Sequence, residues 1–458
     1  MAELTATFVN TLEVLMEGKK YTSIRDILIT MNPSDIAAVL EDSEETHIPL
    51  MFRLLPKELA AETFVEMDPD FQELLIRGFS DSELREVVQE LFVDDAVDLV
   101  EEMPANVVKR ILAQADPEMR KEINEILRYP ENSAGSIMTT EYVSLRPSMT
   151  VEEAILRIRR TGVDKETIYT CYVTEGRKLQ GFVTVKDLLL AEDDDATIES
   201  LMDAHVISVN TSDDQETVAH MLSKYNFLAL PVVDSDHRMV GIVTFDDAMD
   251  VIEEETTEDI EIMGGMTPSE KTYMRSGPFD LFIHRIPWLM LLMVSATFTG
   301  MIITAFEDKL AACVVLTAFI PMLMDTGGNS GSQASVTIIR AISLGELEFS
   351  DLWVVIWKEI RTALLCGIAL ALVCFVKLLL VDRLLLGNTG ITILVAFVVC
   401  ATLTVTVLAA KLVGCTLPLF AKKAGFDPAV MASPFITTCV DAISLLVYFG
   451  IASSLLSF

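Results

Sequence analysis

Asp441 lies in residues 434–441, inside the last of several long apolar stretches, with Thr437, Thr438 and Ser433 adding oxygens along the same run. A carboxylate at mid-membrane costs roughly 2.5–3.5 kcal/mol on insertion scales, so an acid kept there has a task by default, and holding a cation is the first to consider. An all-oxygen set of this kind suits Mg²⁺, Ca²⁺ or Mn²⁺ better than Zn²⁺ or Cu²⁺. The alternative is a structural ion pair with Lys377 or Lys411. A second polar island, residues 321–333, interrupts another apolar stretch with Asp325, Asn329 and Gln333 among Gly327, Gly328 and Gly331. It predicts a glycine-rich break in a membrane helix, whose exposed backbone must face protein or water. A tight helix crossing through small residues accounts for the glycines. It does not account for the three polar side chains.

A third group is acidic. Residues 246–261 hold Asp246, Asp247, Asp250, Glu253, Glu254, Glu255, Glu258, Asp259 and Glu261, and no base occurs between Arg238 and Lys271. On a helix Asp250, Glu254 and Glu258 fall at i, i+4 spacing, where each like-charge pair costs roughly 0.2–0.5 kcal/mol. A solvated acidic face is the ordinary reading of such a run. Its position, just before the first membrane stretch, adds another: divalent ions can neutralise it against other acidic surfaces such as Asp94 and Asp95.

The elements that must position these residues fall into distinct blocks. Mean hydropathy is +0.43, too apolar for a soluble chain of 458 residues. Stretches long enough to cross about 30 Å of hydrocarbon at roughly 1.5 Å per residue lie near 287–306, 311–342, 363–381, 391–412 and 430–456. The chain has 34 Lys and Arg against 68 Asp and Glu, ten of each beyond residue 280, so the formal charge of −34 belongs to the part before the membrane. Nucleic acid and anionic lipid are poor partners for that charge, and cations are good ones. The connections 340–361 and 411–423 hold most of the bases beyond residue 280, which together with five spans places the N-terminus in the cytoplasm and the C-terminus outside. The first residues lack the order of a signal peptide.

Between residues 56 and 118 turn signals recur every 12 or 13 positions, each starting a short amphipathic stretch, and helices so short must stack on one another to be stable. From Met138 the pattern turns to alternating strands and helices, twice over. Gly181-Phe182-Val183-Thr184 before Asp187 returns as Gly241-Ile242-Val243-Thr244 before Asp247, while Met138-Thr139 and Met202-Asp203 open the two copies. The seven cysteines and five histidines show no metal-ligand spacing, and no nucleophile, base and orienter combination or phosphate loop is present, so an enzyme is not expected.

The paired copies resemble a tandem of cystathionine beta-synthase (CBS) domains. The whole order resembles the MgtE family of magnesium channels, on three motifs: the 321–333 island, Glu255 to Asp259 in the connector, and Asp427-Pro428-Ala429 leading to Pro434 and Asp441. The resemblance implies a multi-domain membrane protein. It has an all-α superhelical N-domain (1–130), α/β tandem CBS domains (131–200 and 201–250), a connecting plug helix (246–276) and an all-α transmembrane domain of five helices (277–458). It implies a homodimer in the plasma (inner) membrane, with one Mg²⁺ pore on the two-fold axis.

Pore residues on this reading are Asp441, Asn329, Gln333, Ser433, Thr437 and Thr438. Mg²⁺ would also act as regulator, closing the channel from the cytoplasm through Glu62, Asp94 or Asp95, Glu216, Asp247, Asp250, Glu255, Glu258, Asp259 and Asp427. Ser433 stands where the family often has asparagine, and Asn226 where it can have a CBS carboxylate. ATP is a further ligand implied for the CBS pair, with Tyr169, Lys186, Asp187 and Phe227 in adenine, phosphate and ribose positions. Tyr169 and Phe227 as core aromatics is the competing reading. A proton- or Na⁺-coupled exporter, or a transporter of Mn²⁺ or Co²⁺, is the alternative function.

Overall fold

The computed structural model describes residues 2–269, 273, 276–431 and 433–455, and it divides into two compact units, Met1–Ile252 and Glu253–Phe458. The first unit opens with ten helices ending at Pro117–Ile126, nine of them only five to ten residues long. Proline in the first turn starts Pro33–Glu41, Pro69–Gly78 and Pro117–Ile126, where its missing N–H costs nothing. Ser80 and Glu83 close a capping box on Asp81–Val88, and Asp116 accepts from the backbone N–H groups of Glu118 and Met119. Helices two apart in sequence stack: Pro33–Glu41 on Lys57–Val65, that on Asp81–Val88, and that on Ala105–Gln114. The short helices therefore share one continuous core that none could form alone.

Two three-stranded sheets follow. In the first, β1 (Tyr142–Leu145) pairs parallel with β2 (Thr167–Glu175), which pairs antiparallel with β3 (Lys178–Thr184); in the second, β4 (Val209–Asn210), β5 (Ala229–Val233) and β6 (Met239–Thr244) repeat that order. The opening segments are exchanged between copies. Thr139 trades backbone hydrogen bonds with Ile242 (2.8 and 2.9 Å), and Asp203 trades them with Phe182 (2.9 and 3.0 Å). This explains the repeated glycine, since a Cβ on Gly241 would lie 2.7 Å from the Thr139 carbonyl and one on Gly181 2.8 Å from that of Asp203.

The connector helix, Phe245–Met263, carries the boundary between the units. Beyond it come five long helices, called here the first to fifth membrane helices: Pro278–Ala305, Ile320–Ser343, Leu352–Lys377, Ile393–Ala424 and Ser433–Leu455. The second packs on the fourth and fifth, the third on the fourth, and the first on the fifth. Four of them, the third and fifth with their short flanking turns, are long and apolar enough to cross a membrane. The second is not among these four, because its polar island lowers its hydropathy.

That island is no break. Ile320–Ser343 is one continuous α-helix, preceded by a short helix at Glu307–Ala312 and a 3₁₀ turn at Val314–Phe319, so the expected span from 311 starts nine residues late. The glycines serve close approach. A Cβ on Gly414 of the fourth helix would sit 2.2 Å from the Gly331 carbonyl, and one on Gly327 2.7 Å from Ser444 Oγ. Each helical glycine costs about 1 kcal/mol against alanine, and burial of Gly327, Gly328 and Gly331 against the neighbouring helices offsets it. Lys411 likewise lies in no connection. It is buried within the fourth helix and faces Glu359 of the third at 3.6 Å.

Candidate cation sites

In the membrane part, the glycine face of the second helix brings the fifth helix close at the level of Asp441. A Cβ on Gly328 would meet Thr437, one turn before Asp441, and one on Gly327 would meet Val440 and Ser444 on either side of it. The partners expected for a structural ion pair are engaged elsewhere: Lys377 holds Asp382 at 2.7 Å and Lys411 holds Glu359. Asp441 Oδ1 is buried and has no hydrogen-bond partner among the described residues. Such an oxygen is costly to leave bare, and a passing cation or its hydration water is the partner that fits.

The opposite face of the second helix exposes Asp325, Asn329 and Gln333 at i, i+4 and i+8. Asn329 Nδ2 donates to Asp325 Oδ1 at 3.0 Å. Thr437 is half-buried beside Gly328, while Thr438 Oγ1 donates to the Pro434 carbonyl at 3.1 Å, which leaves its lone pairs available to a cation. The side chain of Ser433 lies outside the described residues.

At the end of the connector helix, Ile262 and Met263 pack on Ile339 and Ala429, and Ser343 Oγ donates to Asp259 Oδ2 at 3.1 Å. This brings together Glu255, Glu258, Asp259 and Asp427, four of the expected regulatory acids. Burial, then the charges of Glu255 and Asp427, push the Glu258 carboxyl above its ordinary range; burial and Asp427 do the same to Asp259 against the Ser343 hydrogen bond. Gly265, left-handed with φ +72°, lets the chain turn against Trp288 of the first membrane helix and Pro434 at the start of the fifth.

The first unit holds a larger acidic cluster. Asp94, in the first turn of Val93–Glu102, is buried, and carboxylate oxygens of Asp94, Glu141 and Glu166 all lie within 4.8 Å of one another. Burial first, then neighbouring carboxylates, raises every member: Asp94 well above its usual range, Asp95 and Asp247 to about 6, Glu166 to about 8. Burial also holds Glu141 up at about 7. Glu166 Oε2 is buried with no hydrogen-bond partner among the described residues. Three hard oxygens at this separation match the carboxylate part of a Mg²⁺ or Ca²⁺ shell.

Glu141 and Glu166 were not readable as ligands from sequence spacing. The signal is in the topology: each immediately precedes a strand of the parallel β1–β2 pair, and Glu166 N–H donates to the Glu141 carbonyl at 3.0 Å. Of the other expected acids, Asp250 is exposed one turn from Asp247 and its charge reaches it. Glu62 is exposed on Lys57–Val65, while Glu66 is the acid from that region whose charge reaches Asp95. Glu216 is half-buried on Gln215–Tyr225, and Asn226 caps that helix in the left-handed region.

Among the nucleotide candidates, Tyr169 is 66% exposed, which rules out a core role for it. Lys186 is exposed, and Asp187 Oδ2 accepts from the Thr184 backbone at 3.1 Å as part of a capping box. Phe227 is partly buried and stacks on Tyr225, 5.4 Å between ring centroids.

A bundle of membrane helices with a bare carboxylate, joined to a soluble part rich in buried acids, defines the class as a membrane protein that handles cations. Family models match accordingly: the divalent cation transporter model of MgtE over residues 320–451, the MgtE intracellular N domain over 31–132, and CBS domains over 134–194 and 198–254. The chain is 36% identical to the magnesium transporter MgtE of Thermus thermophilus, covering 97% of each chain, and 31% identical to that of Bacillus subtilis, covering 96% of each. It belongs to the MgtE family. Its soluble part is similar to the crystal structure of the cytosolic domain of the Mg²⁺ channel MgtE in complex with ATP, at 37% identity and TM-score 0.50 over 52% of this chain and 98% of that one. It is similar also to the soluble part of a magnesium transporter, at 30% identity and TM-score 0.51 over 55% of this chain and 99% of the other.

Proposed function

We propose that the chain is a Mg²⁺ channel of the plasma membrane, working as a homodimer and closed by Mg²⁺ bound to its own acidic domains. The observation that carries the pathway is Asp441: a carboxylate in a membrane helix, one oxygen buried and without a hydrogen-bond partner among the described residues, with Lys377 and Lys411 engaged elsewhere. Two such acids across a two-fold axis suit a hydrated Mg²⁺, which gives up its water reluctantly. A second copy accounts for the second helix, whose polar stripe cannot face hydrocarbon.

Closure follows from the raised carboxyls. Ionised, the clusters at Asp94–Glu141–Glu166 and at Glu255–Glu258–Asp259–Asp427 repel themselves, and a divalent ion binding the compact form shifts the population towards it. The relatives' names supply the choice of Mg²⁺ over Mn²⁺, Ca²⁺ or Co²⁺, and the ATP complex of a relative's cytosolic domain supports nucleotide binding at the CBS pair, with Tyr169 and Lys186 open to receive it. The N-terminus then lies in the cytoplasm and the C-terminus outside. The test is flux into liposomes containing the purified protein, each divalent cation offered separately. Mg²⁺ flux that needs no proton or Na⁺ gradient supports the channel. Flux that stops when such a gradient is collapsed would replace it with a coupled exporter.

A further inference from the structure

We propose that Asp325 is a second cation-binding carboxylate of the pathway, set towards the C-terminal end of the fifth helix from Asp441, and that it sets affinity for the incoming divalent cation and its discrimination from Na⁺. The inference rests on the transport reading and assigns a residue that reading does not contain.

Three observations carry it. First, contacts fix the level: Gly328 approaches Thr437 while Gly327 approaches Val440 and Ser444, so the second and fifth helices run antiparallel. Asp325, two residues before Gly327, therefore stands level with Asp441 or beyond it. Second, Asp325 is exposed although it sits in a membrane helix. A carboxylate bare to hydrocarbon is costly, so this face meets water. Third, the Asn329 amide donates to Asp325 Oδ1 at 3.0 Å, and one such bond leaves a carboxylate with lone pairs on both oxygens for a cation.

Two carboxylates along one pathway repel, and one divalent cation relieves the repulsion where a monovalent one relieves only part of it. The pair therefore favours charge two over charge one before any question of size arises. Steering adds to this, because an acid ahead of the central site raises the local concentration of cations.

The experiment uses full-length protein in liposomes: wild type, Asp325→Asn, Asp325→Glu and Asp441→Asn, each checked for unchanged elution on size exclusion. External Mg²⁺ is titrated with and without excess Na⁺. The expected result is a half-saturating Mg²⁺ concentration about tenfold higher in Asp325→Asn, new inhibition by Na⁺, and recovery towards wild type in Asp325→Glu. Should the asparagine variant aggregate, Asp325→Ser replaces it with the same expectation. Wild-type half-saturation and indifference to Na⁺ in the neutral variant, with flux lost in Asp441→Asn, overturns the role of Asp325 and leaves the pathway standing. Undiminished flux in Asp441→Asn overturns the pathway itself.

Discussion

The acidic cluster of the first unit makes stability depend on pH in a direction opposite to most proteins, and the size can be worked out. In the unfolded chain Glu141 and Glu166 ionise near 4.5; folded, burial holds them at about 7 and about 8. Without divalent cation the folded form thus binds more protons across this window. Its stability is full below pH 4.5 and falls as pH rises through 7 and 8. From pH 6 to 8.5, Glu166 spans about two pH units of a one-proton difference and Glu141 about one, which at about 1.4 kcal/mol per unit is an upper bound near 4 kcal/mol. Both carboxyls are half-buried, and screening by water brings the expected loss to about 2 kcal/mol, or about 30-fold in the opening equilibrium. Buried Asp94 adds in the same direction.

Mg²⁺ at ten times its dissociation constant returns about 1.4 kcal/mol per site. The assay is hydrogen exchange of the full-length protein, read in peptides covering 93–102, 141–145 and 166–175, at pH 6 and 8.5, in chelator and in Mg²⁺. Protection should fall at pH 8.5 in chelator only, and Glu166→Gln should flatten the difference. Equal protection at both pH values in chelator would refute the reasoning, as would Mg²⁺ without effect at pH 8.5.

Asp441→Ala should assemble normally, since it relieves a desolvation cost, yet lose divalent flux; wild-type flux in a well-assembled variant would remove Asp441 from the pathway. Neutralising Glu255, Glu258 and Asp259 together should leave a channel open at Mg²⁺ concentrations that close the wild type, seen as sustained open probability in patch recordings. Gly414→Ala forces a methyl to within 2.2 Å of the Gly331 carbonyl and should cost about 1–3 kcal/mol in detergent-solubilised thermal unfolding, a drop absent in Gly300→Ala, whose Cβ meets nothing within 4 Å. Tags placed after Phe458 should be reachable from outside the cell and tags before Met1 only from inside; both on one side would end the five-span topology.

The residues that stood out in the sequence did so because their local cost is visible without a partner. A charged side chain in an apolar run is one such, and an unrelieved run of acids another, so Asp441 and the cluster at 255–259 were legible from the chain alone. The short stacked helices and the doubled strand pattern were legible through their periods. Residues 321–333 were misread because a glycine that frees the backbone and one that admits a neighbour look the same until Ala410, Ile436 and Val440 are seen against them. Lys411 was placed in a connection for a similar reason: only Glu359, fifty-two positions away, makes its burial tolerable. Glu141 and Glu166 are unremarkable singly, and become candidate ligands only when parallel strand pairing sets them beside Val93–Glu102.

The exchanged opening segments of the two CBS copies constrain how the protein is made. During synthesis the first sheet leaves the ribosome with β3 unpaired along one edge, because the segment that satisfies Phe182 arrives only with Asp203. Thr139, made early, waits still longer, for Ile242. Neither copy is closed by the segment that opens it, so the tandem is complete only after nearly 250 residues have emerged, immediately before the connector and the first membrane helix. The soluble half and the start of membrane insertion are thereby brought close in time, and a nascent chain stalled between Asp203 and Ile242 would carry one finished edge and one open one, the state most exposed to pairing with a neighbouring chain.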